Sequence, residues 1–182
     1  MTAPISADTT LEELAAIVSQ ALELASISAV LSGGAAVSIF SDNEYSSYDL
    51  DFVSTHRLKE IGEALAPLGF TRTVGARQFE HPGTEWFIEF PAGPLAFGET
   101  TIDDAETWTL ETACGPLRII TPTQSIMDRL AAYTHWHDNQ AWDQAVMIAR
   151  RQRVDWQELL MWAENEGLDA EAIRRVKRAA EA

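Results

Sequence analysis

Hydrophobic residues recur along this chain with two periods, and the change from one to the other divides it. Leu11, Leu14, Val18, Ala21 and Leu22 fall at helical spacing, and Thr10-Leu11-Glu12-Glu13 ahead of them has the form of a capping box. Residues up to about Ala7 read as a loose tail. Residues 27–31 are apolar or small without interruption, as in a buried strand. Gly33-Gly34 ends that run and opens a short helix through about Phe40, and residues 41–47 form a polar loop. The next stretch, Tyr48-Asp49-Leu50-Asp51-Phe52-Val53, alternates. As a strand it puts Asp49 and Asp51 on one face and turns Leu50 and Phe52 into the core.

Leu58, Ile61 and Leu65 mark a helical stripe that Pro67 and Gly69 stop. Residues 70–74 and 76–81 read as short strands joined at Gly75. Residues 86–90 alternate again, with Glu85, Phe87 and Glu89 on one face and Trp86, Ile88 and Phe90 on the other. Pro91-Ala92-Gly93-Pro94 breaks this strand. Residues 106–110 and 117–120 are expected to be the last strands, with Gly115-Pro116 at or near their turn.

From Thr121 the period is helical. Thr121 is a suitable N-cap, Pro122 occupies the first helical position and Gln124 completes the box. Ile126, Leu130 and Tyr133, then Trp142, Ala145, Val146 and Ala149, mark apolar faces. His137-Asp138 reads as a helix end, Asp155-Trp156-Gln157-Glu158 starts a third helix that Gly167 ends, and Ile173 and Val176 belong to a last one. The expectation is an α+β part over residues 1–120, with a mixed sheet and helices, followed by a C-terminal helical part over residues 121–182.

Charge narrows the function classes. The net charge is −15, and the chain has only two lysines, Lys59 and Lys177. Phosphate neutralisation supplies most non-specific affinity for nucleic acid, so an acidic chain is a poor general binder of it. The same balance suits divalent cations and basic partners. Hydrophobic residues make up 46%, enough for a real core. Cys114 is the one cysteine, which excludes an intrachain disulfide. No basic leader precedes an apolar stretch, and no segment reaches membrane-spanning length. A cytoplasmic protein without membrane association is expected.

Candidate chemistry concentrates in residues 31–53. A glycine pair after a first strand, then acid–apolar–acid on the next, resembles the nucleotidyltransferase superfamily. The likeness is to its minimal and AbiEii-like bacterial branches, where the turn reads Gly-Gly followed by small residues. The resemblance implies a nucleotidyltransferase-like α+β fold with Asp49 and Asp51 as ligands of Mg²⁺ or Mn²⁺. It implies a third carboxylate from a neighbouring strand, for which Glu89 is the candidate. Glu85 shares its face but lies nearer the strand start. A basic residue in the first helix after the sheet would face the triphosphate, and Arg129 stands there. Ser32, Gly33 and Gly34 would receive the phosphates.

The residue types suit that chemistry. Two carboxylates at i and i+2 on a strand stand about 6–7 Å apart at Cα, which suits a shared metal cluster. Backbone amides at the start of the helix can face a phosphate, and glycine permits close approach. The second turn residue is glycine where a serine is also found in the superfamily, the gap from Gly34 to Asp49 is long, and Arg129 replaces a more usual lysine. Each feature also has a plain structural meaning: a glycine pair can be a tight turn, two aspartates a solvated strand face, an arginine a solvent-facing helix residue. Their order along the chain favours the site.

Elsewhere, His135 and His137 at i and i+2 do not face each other on a helix. No Walker loop, dinucleotide fingerprint or nucleophile elbow occurs. The expected activity is metal-dependent transfer of a nucleoside monophosphate from a nucleoside triphosphate to a protein, RNA or small-molecule acceptor, with RNA disfavoured by charge. The alternative is a catalytically inactive nucleotidyltransferase-fold module that binds a cognate partner, as in a toxin–antitoxin pair.

Overall fold

The structure, a computed structural model, describes residues 5–182. The first four residues of the expected tail lie outside the described residues. Helix α1 (Leu11–Leu24) starts at the expected box: the Thr10 hydroxyl accepts from the Glu13 amide, and the Glu13 carboxylate accepts from the Thr10 amide at 2.8 Å. Then come β1 (Val30–Ser32), α2 (Gly33–Phe40), β2 (Asp49–Val53) and α3 (Leu58–Leu65). Three short strands follow: β3 (Thr71–Arg72), β4 (Gln78–Glu80) and β5 (Phe87–Glu89). A separate hairpin joins β6 (Ala96–Phe97) to β7 (Thr100–Thr101), and β8 (Trp108–Thr112) and β9 (Gly115–Ile119) complete the strands. The helices α4 (Pro122–Trp136), α5 (Asn139–Arg151), α6 (Trp156–Asn165) and α7 (Ala170–Glu181) finish the chain.

The main sheet has the order β3-β4-β5-β2-β1-β9-β8. It is mixed: β1 runs antiparallel to β2 and parallel to β9, and β2 runs parallel to β5. Hydrophobic burial decides the register. Leu50, Phe52, Ile88 and Phe90 are all fully buried. The Phe52 and Phe90 rings stack at 6.1 Å, and Phe79 meets Phe90 edge-on at 5.5 Å. Each such side chain contributes about 1.5–3 kcal/mol on burial. A one-residue slip of β2 would expose Leu50 and Phe52 and bury Asp49 and Asp51, so the strand has one workable register.

Helix α1 contacts α3, β1 and β9, while α2 contacts β1, β2, α4 and α5. One hydrophobic cluster runs from Leu14 in α1 through the sheet to Leu130, Ile148 and Val176 in the C-terminal helices. Aspartates cap α5, α6 and α7: Asp138, Asp155 and Asp169 each accept from amides of the first turn. Thr121 and Gln124 form the expected box on α4, and the Gln124 Nε2 also donates to the Glu106 carbonyl at 3.0 Å, tying α4 to the sheet.

Several boundaries differ from the sequence reading. The strands expected over 70–74 and 76–81 shorten to β3 and β4, because the chain between them turns through Gly75 at φ +77°. The strand expected from residue 106 begins at Trp108, since Asp103 caps a 3₁₀ turn over Asp104–Glu106. The β6–β7 hairpin was not foreseen; two-residue strands give no periodic signal. Among the described residues no helix is long and apolar enough to cross a membrane.

Candidate active site

The candidate site is assembled from three strands and the helix that follows the first of them. On β2, Asp49 and Asp51 are half-buried on the face opposite Leu50 and Phe52. The parallel pairing of β2 with β5 sets Glu89 directly beside Asp51, on the same face by the pleat. One carboxylate oxygen from each of Asp49, Asp51 and Glu89 lies within 4.8 Å of the others. Glu85 is exposed and precedes β5. Ser47, buried before β2, donates its hydroxyl to Asp49 Oδ1 at 3.1 Å, and the Trp86 indole donates to the Ser47 carbonyl at 3.2 Å. Asp49 is therefore held by a loop that is itself held by the residue just before the strand bearing Glu89.

The first strand brings the turn to the same place. Ser32 pairs with Asp51 across β1 and β2, and Ser32 is the N-cap of α2 with no side-chain capping bond. Gly33 has φ +62°, and a Cβ there would collide with the Asp51 carboxylate. Gly34 is tight in a different direction: a Cβ would lie 2.7 Å from the Ser47 hydroxyl and 3.3 Å from the Tyr45 ring. The two glycines thus answer to different neighbours. Gly33 fits against the Asp51 carboxylate, and Gly34 fits under the loop that positions Asp49.

An open cleft of about 290 Å³ extends from Asp51 toward Pro91, Leu95 and Phe97 and is closed on the helical side by Asp128 and Arg129 of α4. The Arg129 side chain is 15% exposed. Its Nη2 donates to Asp128 Oδ2 at 2.5 Å and its Nη1 donates to Gln144 Oε1 on α5 at 3.1 Å. Burial opposes the charge of Arg129, but Asp128, with smaller help from Tyr45 and Asp51, raises its pKa above the ordinary value. Among its polar atoms, Nε is buried without a partner.

Burial, followed by repulsion from Asp49, Glu89 and Asp128, pushes the Asp51 carboxyl up to about 7; Arg129 acts in the opposite sense. An all-oxygen set of three close carboxylates, one of them raised by burial and then by its neighbours' charge, is the environment a hard dication relieves. The residues therefore fit Mg²⁺ or Mn²⁺. Metal binding requires Asp51 to lose its proton, so Mn²⁺ affinity is expected to climb as pH rises through about 7. Asp51→Asn should flatten that dependence; calorimetric titration across the pH range checks it. The stability sign is opposite. The raised folded-state pKa contributes stability at pH below the unfolded value, and this is lost as pH rises through about 7 in the metal-free protein.

Of the residues expected from the sequence, Asp49, Asp51, Glu89, Ser32, Gly33 and Gly34 come together, and Arg129 reaches the cleft on the Asp51 side. The sequence reading missed Asp128, Ser47 and Gln144. Asp128 adjoins Arg129 in sequence and could have been noticed as a charged pair in an otherwise apolar stretch. Ser47 and Gln144 carry no local signal; only the packing of the loop on β2 and of α5 on α4 brings them in.

The chain's fold is nucleotidyltransferase-like. It is similar to an antigenic nucleotidyltransferase-like protein from Paracoccidioides brasiliensis, with a TM-score of 0.58 at 18% identity over 99% of this chain and 95% of that one. It is also similar to ANT(2")-Ia in complex with adenylyl-2"-tobramycin, with a TM-score of 0.54 at 13% identity over 94% of this chain and 98% of that one. The solution structure of ANT(2'')-Ia gives a TM-score of 0.51 at 14% identity over 93% and 89% of the two chains. No protein-family model and no curated protein matches the chain.

Proposed function

We propose that this protein is a metal-dependent nucleotidyltransferase that moves a nucleoside monophosphate from a nucleoside triphosphate to an acceptor. One observation carries the reading: Asp49, Asp51 and Glu89 converge beside the Gly33-Gly34 turn, within a nucleotidyltransferase-like fold. Asp49, Asp51 and Glu89 would hold Mg²⁺ or Mn²⁺, which when bound supplies neutralisation of the charge that develops on the phosphoryl oxygens and the leaving pyrophosphate. Ser32, Gly33 and Gly34 would let the triphosphate approach the start of α2, where backbone amides donate to anions. Arg129 would contribute positive charge from the helical side of the cleft.

The acceptor can be a protein, an RNA or a small molecule. The charge of −15 and the carboxylates around the cleft favour a neutral or cationic small molecule over RNA. Within the superfamily, the Gly33-Gly34 turn and the small residues after it support a place beside the minimal and AbiEii-like branches. A cytoplasmic setting, where the triphosphate is abundant, suits the activity.

The test is label transfer from each of the four α-labelled triphosphates with Mg²⁺ or Mn²⁺, offered small-molecule, protein and RNA acceptor pools. Transfer that depends on metal and is lost in Glu89→Gln is the expected result. Absence of transfer, with no rise in melting temperature on adding triphosphate and metal, overturns the reading. A second reading is favoured by the pairing of Arg129 with Asp128, which leaves the cleft with little uncompensated positive charge. On that reading the chain is a non-catalytic binding module of the toxin–antitoxin kind, and triphosphate raises the melting temperature without any transfer.

Glu89→Gln is further expected to weaken Mn²⁺ binding about tenfold and to leave triphosphate-alone binding unchanged, because the turn does not depend on it. Paired titrations, Mn²⁺ first and triphosphate second, separate the two effects.

A further inference from the structure

Asp128 stands where a triphosphate-binding site has least use for a carboxylate. It lines the cleft together with Asp51, raises the Asp51 carboxyl by its charge, and holds the guanidinium of Arg129 at 2.5 Å. Both partners are largely removed from water, with Arg129 15% and Asp128 24% exposed at the side chain. A pair that is this desolvated is not dissolved by solvent screening, and an incoming anion must compete for the arginine. Gln144 is 2% exposed and fixes the opposite edge of the guanidinium from α5, so Arg129 cannot simply swing away to meet a phosphate elsewhere. Asp128 and Arg129 also sit side by side on one helix, where neighbouring side chains diverge; the contact uses side-chain reach rather than helix geometry.

We propose that Asp128 is an internal competitor for Arg129, and that polyphosphate binding in this cleft is a partner exchange in which phosphate oxygens replace the Asp128 carboxylate on the guanidinium. That a polyphosphate enters this cleft rests on the proposed function; the Asp128–Arg129 contact that it would have to displace is observed. Bidentate geometry makes it feasible. A guanidinium offers several N–H donors in a fixed fork, and phosphate oxygens match that fork as a carboxylate does. Gln144 keeps one edge of the fork in place while the other edge changes partner. Asp128 thereby makes the site selective: a weakly charged anion cannot displace it, and a highly charged one can.

A double-mutant cycle reads the exchange directly. The probe is inorganic tripolyphosphate with Mn²⁺, followed by a non-hydrolysable nucleoside triphosphate with Mn²⁺, titrated into wild type, Asp128→Asn, Arg129→Gln and the double variant. Asp128→Asn is expected to bind tripolyphosphate about tenfold more tightly than wild type, because the arginine no longer has a charged competitor. In the Arg129→Gln background the same change should give no gain. A gain of equal size in both backgrounds overturns the proposal, since Asp128 would then act only as a repulsive charge. Unchanged or weaker binding in a folded Asp128→Asn variant also overturns it. If that variant does not fold, Asp128→Ser at the same position gives the same reading. If tripolyphosphate follows the expected pattern and the nucleotide does not bind, partner exchange stands and the nucleotidyltransferase reading fails.

Discussion

Replacing both strand aspartates, Asp49→Asn together with Asp51→Asn, is expected to abolish divalent-metal binding and, on the proposed function, to lower nucleotidyl transfer by about a thousandfold or more, while leaving the protein folded. The size follows from the chemistry. Two of the three candidate ligands are removed, and carboxylate donors are what a hard dication selects. The fold survives because Leu50 and Phe52, which set the register of β2, are untouched. Asn at position 49 retains an oxygen able to accept from the Ser47 hydroxyl, so the loop over β2 stays tied. At neutral pH the metal-free double variant should also melt at a higher temperature than wild type. Asp51 is held partly protonated near pH 7 by burial and by like charge, and a neutral isostere removes that repulsion. Mn²⁺ titration with thermal melts at pH 5 and pH 8 checks both halves. Retained metal binding in the double variant would remove the basis of the site; a lower melting temperature would show that the carboxylates stabilise the fold.

The second large effect belongs to the turn. Gly33→Ala is expected to destabilise the protein by about 1–2 kcal/mol from the left-handed backbone alone, and to weaken metal and triphosphate binding together. The added methyl group meets the Asp51 carboxylate, so the damage reaches the metal end directly. Gly34→Val should behave differently. Its side chain meets the Ser47 hydroxyl and the Tyr45 ring, so it disturbs Asp49 only through the loop, while on the proposed function its bulk crowds the start of α2 where the triphosphate would approach. Triphosphate binding should then fall more than Mn²⁺ binding. Denaturant unfolding and paired titrations on the two variants distinguish these outcomes. Identical profiles for both would mean that the glycines serve only the turn.

These contrasts were partly legible in the chain itself. Alternation over Tyr48 to Val53 is a local property, since a strand with two fully buried apolar residues admits one face assignment, so the aspartates could be put on one side without a structure. The caps at Thr10, Thr121 and Asp155 were equally legible, because an N-cap is satisfied by residues within a single turn. A glycine pair after an apolar run likewise announces a tight turn opening a helix. All of these are contacts between near neighbours.

What only the tertiary structure decided lies between segments distant in sequence. That Glu89 stands beside Asp51, with Glu85 left exposed before the strand, is a matter of the parallel register of β5 on β2, which no local period encodes. That Gly33 and Gly34 have separate tasks depends on which neighbour each faces, and those neighbours lie on β2 and in the loop before it. Arg129 lines the cleft beside Asp51, but its bond to Gln144 appears only when α5 packs on α4 and turns a buried amide toward it. The physical reason is the same in each case. Local pattern fixes which face of an element is apolar, and hydrophobic burial then brings elements together; the polar groups left facing each other at that junction are set by packing, and they determine the charge of the cleft.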